Sequence, residues 1–269
     1  TEIYTLSLHD ALPIWGTLSR LREQGHEVKL VFQTSGNLRV ADVAALNFAR
    51  VVLEMAETSH SPEWESQTAY ARSIVEAIDA KGEFGIDPDF VRKLKGLILR
   101  GEARDAASVC RLRYHDIQFL DLPFYETGRY RRFRFEAADA ESVRAILAEF
   151  QPHSIYATGD ASDPSSPQAI AFRAFTEAWK GWDGGTRQES RVWLYRGRDR
   201  PFEAHEIDMA VPMSPDQLEE KAESIRRFMS INEDDLNAPA RNREIAATYD
   251  ALGMAEYEAI EAFRRWIPA

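Results

Sequence analysis

The first chemical suggestion in this chain is a short polar stretch: Gly159-Asp160 and Asp163-Pro164 are followed by Ser165-Ser166-Pro167-Gln168. Carboxylates accept hydrogen bonds from hydroxyl groups, and Asp side chains also tie their own loops by accepting from backbone N–H groups two residues on. Both readings of Asp160 and Asp163 stand. Glu126, in the loop DLPFYETG (121–128), and Tyr195, closing an apolar run, add a carboxylate and a phenol. Acceptors beside a flat ring suit the hydroxyls and the apolar face of a sugar. His26, His60, His115, His153 and His205 share no close ligand spacing, so they outline no zinc site of their own.

These residues need elements to position them, and the hydrophobic pattern supplies an alternation of strand and helix. Strands are expected over about 27–33, 116–120, 153–158, 190–196 and 206–212. Helices are expected from Leu18 to Gly25 and over about 41–57, 65–80, 87–112, 139–149, 167–180, from Ser214 onward, and 241–265. Ser214-Pro215 and Asp87-Pro88 are helix starts, with a capping side chain before a proline suited to the first turn. Such alternation predicts an α/β fold with a mainly parallel sheet and helices on both faces. Ligands of such sheets bind beyond the carboxyl ends of the strands. Asp160, Asp163, Glu126 and Tyr195 all follow or end a predicted strand, and are expected to converge on one polar cleft.

Composition narrows the partners. The chain has 269 residues and a net charge of −11, an acidity that repels nucleic acid and anionic lipid. No apolar run approaches the roughly 20 residues of a membrane span. The single cysteine, Cys110, permits no internal disulfide, fits a reducing cytoplasm, and reads as a buried structural thiol among Ala106, Ala107 and Val109. The Arg-rich, aromatic stretch from Arg129 to Phe135 reads as an edge strand or loop with solvated charge, with an anion or nucleic-acid surface, or a sugar-phosphate contact, as the alternative. Asp42, Glu54 and Glu57 read as the solvated face of a helix.

Residues 1–14, TEIYTLSLHDALPI, resemble a translated sequencing adapter, and helical grammar begins abruptly after them. They are expected to be a non-native segment, leaving 15–269 as one domain. Any strand formed by Ile3–Leu8 would reflect apolar alternation in foreign residues.

FLDLPFYETG (119–128), GD-x-x-DP (159–164), YRG (195–197), HEIDMAVPMSPDQLEEK (205–221), RNR (241–243), YDALGMAEYEAIEAF (249–263) and GTLSRLREQGHEVKLVFQTSGN (16–37) together resemble the PIG-L or LmbE-like de-N-acetylase family. The resemblance is to the form fused behind a glucosamine-6-phosphate deaminase domain. It implies an LmbE-like, Rossmann-type three-layer fold, an amino-sugar ligand and a deaminase domain as partner. It also implies a zinc ion that activates water for hydrolysis of an N-acetyl group. Two ligands and a general base come from a His-Pro-Asp-Asp motif after the first strand; a later His-x-x-His supplies a charge-stabilising His and the third ligand.

This chain departs from that pattern. The first motif would fall within residues 1–14 and is absent. Ser165 stands at the position of the charge-stabilising His and Gln168 at that of the zinc-ligand His, and an amide oxygen is a poor zinc ligand beside imidazole. Phe228-Met229-Ser230-Ile231 replaces a polar stretch of the family. Arg100 and Glu102 match a family helix and are expected to brace the strand-end loops. The expectation is a degenerate copy with no catalytic residue and no cofactor, binding amino sugar through Asp160, Asp163, Glu126 and Tyr195 or playing a structural role. Its rivals are an active zinc-dependent hydrolase with a truncated first motif, and a freestanding interaction module.

Overall fold

The structure is a computed structural model that describes residues 2–6, 14–59, 64–82, 85–126, 133–159, 163–185, 187–196, 201–230 and 238–268, the first of these by backbone alone. The chain divides into two compact units, an α/β unit (Thr1–Ser35, Ala103–Phe228, Glu233–Ala269) and a helical unit (Gly36–Glu102, Met229–Asn232).

The strands of the α/β unit are β1 (Glu2–Leu6), β2 (Val28–Phe32), β3 (Ile117–Phe119), β4 (Ser154–Thr158), β5 (Arg191–Tyr195), β6 (Met209–Met213) and β7 (Ala259–Trp266). They form one sheet in the order β3-β2-β1-β4-β5-β7-β6. The first five are parallel, and β7 runs antiparallel between β5 and β6. The parallel strands expected over 27–33, 116–120 and 153–158 are all present, each trimmed by a residue or two. β2 is buried at every residue, as a strand covered on both faces requires. Its one charge, Lys29, is met by the buried Asp116 carboxylate at 3.2 Å. Pro212, which cannot donate to a ladder, sits on the edge strand β6, where that is tolerated.

The helices follow from the chain order. They are α1 (Trp15–Glu23), α2 (Asp42–Ser59), α3 (Glu65–Lys81), α4 (Asp89–Val109), α5 (Pro123–Glu126), α6 (Ala137–Phe150), α7 (Pro167–Lys180), α8 (Pro215–Arg226) and α9 (Ala238–Ala251). Connections from β1 to β2 and β3 step one way along the sheet, while those from β3 to β4 to β5 step the other way. Right-handed crossovers therefore place α1 on one face and α6 and α7 on the other. No helix among the described residues is long and apolar enough to cross a membrane.

One expected element is corrected. Residues 241–265 are not one helix: α9 stops at Ala251, Gly253 turns the chain at φ +75°, and β7 follows. Gly253 breaks the helix as a left-handed glycine does, and the apolar residues of β7, Ala259, Ile260, Ala262 and Phe263, fall on both faces of a strand that is buried on both. Ile260 and Phe263 thereby reach the core.

The helical unit packs α2 against α3 through small and branched residues, among them Ala45, Ala49, Ala71 and Ile74. It is cross-linked by four charges. Lys81 Nζ lies 2.6 Å from carboxylate oxygens of both Asp42 and Asp87. Lys95 Nζ reaches the same two at 2.6 and 2.8 Å. Asp42, read from sequence as solvated, is a member of this cluster. Burial would raise its carboxyl, but hydrogen bonds and charge from the two lysines prevail and hold it below its ordinary value.

Asp87 is nearly inaccessible, so Asp87→Ala leaves two buried ammonium groups to share the one carboxylate of Asp42. A loss of about 3 kcal/mol is expected in urea unfolding. Asp42→Asn, at a carboxylate more than a third exposed, should cost less than about 1 kcal/mol. A carboxylate depressed by folding stabilises above its unfolded pKa and loses that contribution as pH falls through its folded one. The gap between wild type and Asp42→Asn should therefore close as the solution is taken below the ordinary carboxylate range. Equal stabilities of Asp87→Ala and wild type at pH 7 would refute this account.

Candidate functional site

The direction of the crossovers reverses between β1 and β4, which makes the carboxyl ends of these two strands the switch point at which α/β sheets bind ligands. The segments that leave these ends include residues 7–13 and 160–162, so Asp160 and the position of the first family motif lie outside the described residues. What is described begins at Gly159, whose N–H donates to the Tyr195 carbonyl at 3.2 Å and joins the ends of β4 and β5. A Cβ there would come within 2.8 Å of a Leu194 methyl, so the close approach of these strand ends requires glycine.

Asp163 is exposed, and its Oδ1 accepts from both the backbone N and the hydroxyl of Ser165, each at 2.8 Å. These bonds hold its carboxyl below the usual range. Asp163 thus makes the loop-tying turn that was one of its two readings. Ser166 accepts from Ala169 N at 3.2 Å and caps α7, with Pro167 at the first position. Ser165 is exposed and Gln168 half-buried in the first turn of that helix.

Tyr195 is buried at 1% exposure, in register with Thr158. Glu126 ends α5, half-buried, after edge strand β3. Four interstrand steps separate β3 from β5, a lateral distance of about 19 Å at ordinary strand spacing. The strand order therefore brings Asp163 and Tyr195 to neighbouring strand ends and Glu126 to the far side of the same sheet edge. Between them, at the end of β2, Gln33, Thr34 and Ser35 are all buried. The Gln33 amide oxygen has no hydrogen-bond partner among the described residues. Of the other predicted positions, Phe228 is buried and Met229 exposed, while Glu102 accepts the Ser230 hydroxyl at 2.6 Å.

The strongest interaction beside the switch point was not legible in the sequence. The Glu261 carboxylate reaches from β7 to the first turn of α1, where it accepts from Gly16 N at 2.9 Å and Thr17 N at 2.6 Å. Lys221 Nζ of α8 donates to the same carboxylate at 2.6 Å and to Asn242 Oδ1 of α9 at 2.7 Å. Asn242 in turn donates to the Ile260 carbonyl. Glu261 and Lys221 are about 1% exposed. Burial pushes the Lys221 amine below its ordinary value, against the opposing pull of Glu261. Gly16 is needed for this approach, since a Cβ would stand 2.3 Å from Met213 Sδ and 3.0 Å from the carboxylate. Cys110 packs beneath the same turn, 3.7 Å from the Trp15 carbonyl, and burial pushes its thiol up to about 12. That fits a structural thiol.

The described residues do not fit a catalytic zinc. Among them no group of three or more His, Cys, Asp or Glu is placed to hold a metal ion. The two family positions after β4 present a hydroxyl already bonded to Asp163 and a carboxamide. Zinc sites are built from imidazole, thiolate and carboxylate.

No family model matches the chain. It is 36% identical over 273 residues to a glucosamine-6-phosphate deaminase-like protein of Bacteroides thetaiotaomicron, across 96% of this chain and 41% of that protein. The chain thus spans less than half the length of this relative. Its fold is shared with the N,N'-diacetylchitobiose deacetylase of Pyrococcus horikoshii, with a TM-score of 0.59 and 16% identity over 99% of this chain and 84% of that one. It is shared equally with the 4-carboxy-2-hydroxymuconate hydratase of Pseudomonas putida KT2440, with a TM-score of 0.61 and 14% identity over 100% and 96%. The architecture is the LmbE-like, Rossmann-type α/β fold expected from the sequence.

Glu261→Gln should leave the Lys221 ammonium without its counter-charge and weaken the tie to α1. The expected cost is about 3–5 kcal/mol in chemical denaturation. Adding Lys221→Met to it should restore part of that loss, because removing both charges removes the stranded one. A single variant within about 0.5 kcal/mol of wild type would remove this pair from its central role.

Proposed function

We propose that this chain is a PIG-L/LmbE-like domain of a glucosamine-6-phosphate deaminase-like protein that has lost hydrolytic zinc and retains a neutral polar site for an amino sugar. The observation that carries this reading is the pair Ser165 and Gln168 at the start of α7. The positions that the sequence resemblance assigns to two histidines hold a hydroxyl bonded to Asp163 and an amide. The relationship to the deaminase-like protein supports the partner, and the deacetylase fold supports the ligand class. On this reading residues 1–14 are foreign to the domain, 15–269 constitute it, and it works in the cytoplasm. Asp163 serves the site by fixing the turn that presents Ser165. Asp160 and the end of β2 are the groups that meet the sugar, with Tyr195 as a buried wall and Glu126 at the distant flank.

Two measurements test it. Metal analysis after dialysis should find zinc held no more tightly than micromolar, and near-stoichiometric zinc would overturn the loss of the metal. Titration with N-acetylglucosamine should show millimolar binding that Asp160→Ala weakens roughly tenfold, the worth of a hydrogen bond to a charged group. Absence of binding, or equal binding by both proteins, would leave only a structural role.

A further inference from the structure

A polar cavity lies at the opposite edge of the same sheet. It opens at the amino end of β5, the carboxyl end of β7 and the loop after α7, and encloses about 680 Å³. β5 runs from this cavity at Arg191 to the switch-point edge at Tyr195, about 13 Å away. The two sites therefore share a strand and no residue.

The lining is basic in an acidic chain. Arg187, Arg191 and Arg265 face the cavity, against Asp183 as its one acid. Among the described residues none of the three guanidinium groups forms an ion pair. Neighbouring arginines behave otherwise: Arg196 and Arg264 both reach the Glu206 carboxylate, at 3.2 and 3.7 Å. Sheet register sharpens the contrast. Arg265 stands opposite Trp193, so Arg191, two residues away on the same face, is its diagonal neighbour at about 7–8 Å. Like charges so placed repel; the carboxylates nearby are Asp183 in the lining and Asp208, whose Oδ2 accepts from Arg265 N at 2.7 Å.

The third arginine is held in position. Arg187 donates to the Trp182 carbonyl at 3.1 Å, and its guanidinium lies 5.8 Å from the Trp179 ring centre. Beside it Trp266 is half-buried, fixed edge-on against Phe172 and Trp179 at 6.0 and 5.8 Å. Trp266, opposite Val192, thus shares one face with Trp179 and Arg187, while Arg191 and Arg265 share the other, and the cavity bends round the ends of β5 and β7.

We propose that this cavity binds a small phosphate monoester, with the phosphate between Arg191 and Arg265, Arg187 as the third donor, and the organic part against Trp266. Guanidinium groups match phosphate oxygens two at a time, and three of them offset the charge of a dianion. The half-exposed indole offers the apolar surface that a sugar or similar polar ring lies upon.

Calorimetric titration at about 50 mM salt, where surface electrostatics are little screened, tests the proposal. The probes are glucosamine 6-phosphate and, without the phosphate, glucosamine. The phosphate ester should bind at least tenfold more tightly than glucosamine. Arg191→Gln/Arg265→Gln should weaken it at least tenfold, about the loss of one charged hydrogen bond. Both side chains are exposed, so the double variant should keep the wild-type Tm. The proposal is overturned if the ester gives no binding heat at about 10 mM, or if the double variant binds it as wild type does. It is overturned also if glucosamine binds as tightly as its phosphate.

Discussion

The α/β unit is organised around one fully buried ion pair, Lys221–Glu261. Leaving either charge in the interior without the other costs several kcal/mol, a large share of the stability of a domain. The pair is satisfied only when four elements are in place together. β7 carries the carboxylate, α8 the ammonium, α9 the Asn242 oxygen, and α1 the two backbone N–H groups that take the remaining lone pairs. An apolar pair of similar volume could be as stable or more so. What the ions add is a register, since Glu261 meets Gly16 and Thr17 in only one placement of β7 against α1. They also settle an electrostatic question. The first-turn amides of α1 form a partial positive charge that could hold an anion. The Glu261 carboxylate already occupies two of them from within the chain.

That arrangement explains what was legible in the sequence and what was not. Local grammar located α7 at both ends, because Ser166-Pro167 is a cap and a first-turn proline and Gly181 follows the last turn. It located β2, β3 and β4 because each is a short apolar run closed by polar turn residues. It failed over residues 252–266. Read as a continuing helix, Glu261 falls among solvated charges; read as a strand, it points inward between Ile260 and Phe263. AIEAF has no period that separates strand from helix, and the local signal was Gly253, which marked the place to stop. Asp42 was misjudged for a related reason. Its partners Lys81 and Lys95 lie 39 and 53 residues away, and no local pattern encodes an ion pair closed by tertiary packing.

The central position of β1 follows from backbone chemistry more than from side chains. β2 and β4 each present unpaired N–H and C=O groups toward the slot between them, and any extended five-residue segment can satisfy both ladders. Glu2–Leu6 does so in register with Val28–Phe32 on one side and with Ser154–Ala157 on the other. Strands buried in the middle of parallel sheets are ordinarily near-continuous apolar runs, and EIYTL is not one. A segment of this composition can hold that slot through hydrogen-bond demand alone.

The fold itself does not choose the chemistry. A deacetylase and a hydratase superpose on this chain about equally well, so the sheet and its crossovers are a common frame on which unrelated reactions are run. Distinction falls to the few residues leaving the carboxyl ends of β1 and β4. In this chain the described part of that region is organised for its own stability. Asp163 spends an oxygen on Ser165, Ser166 spends its hydroxyl on the α7 cap, and Gly159 is packed against Leu194. A hydrolytic centre needs the opposite: donor atoms held by their surroundings yet open toward a metal or a substrate. The side chains at 165 and 166 close hydrogen bonds within their own turn.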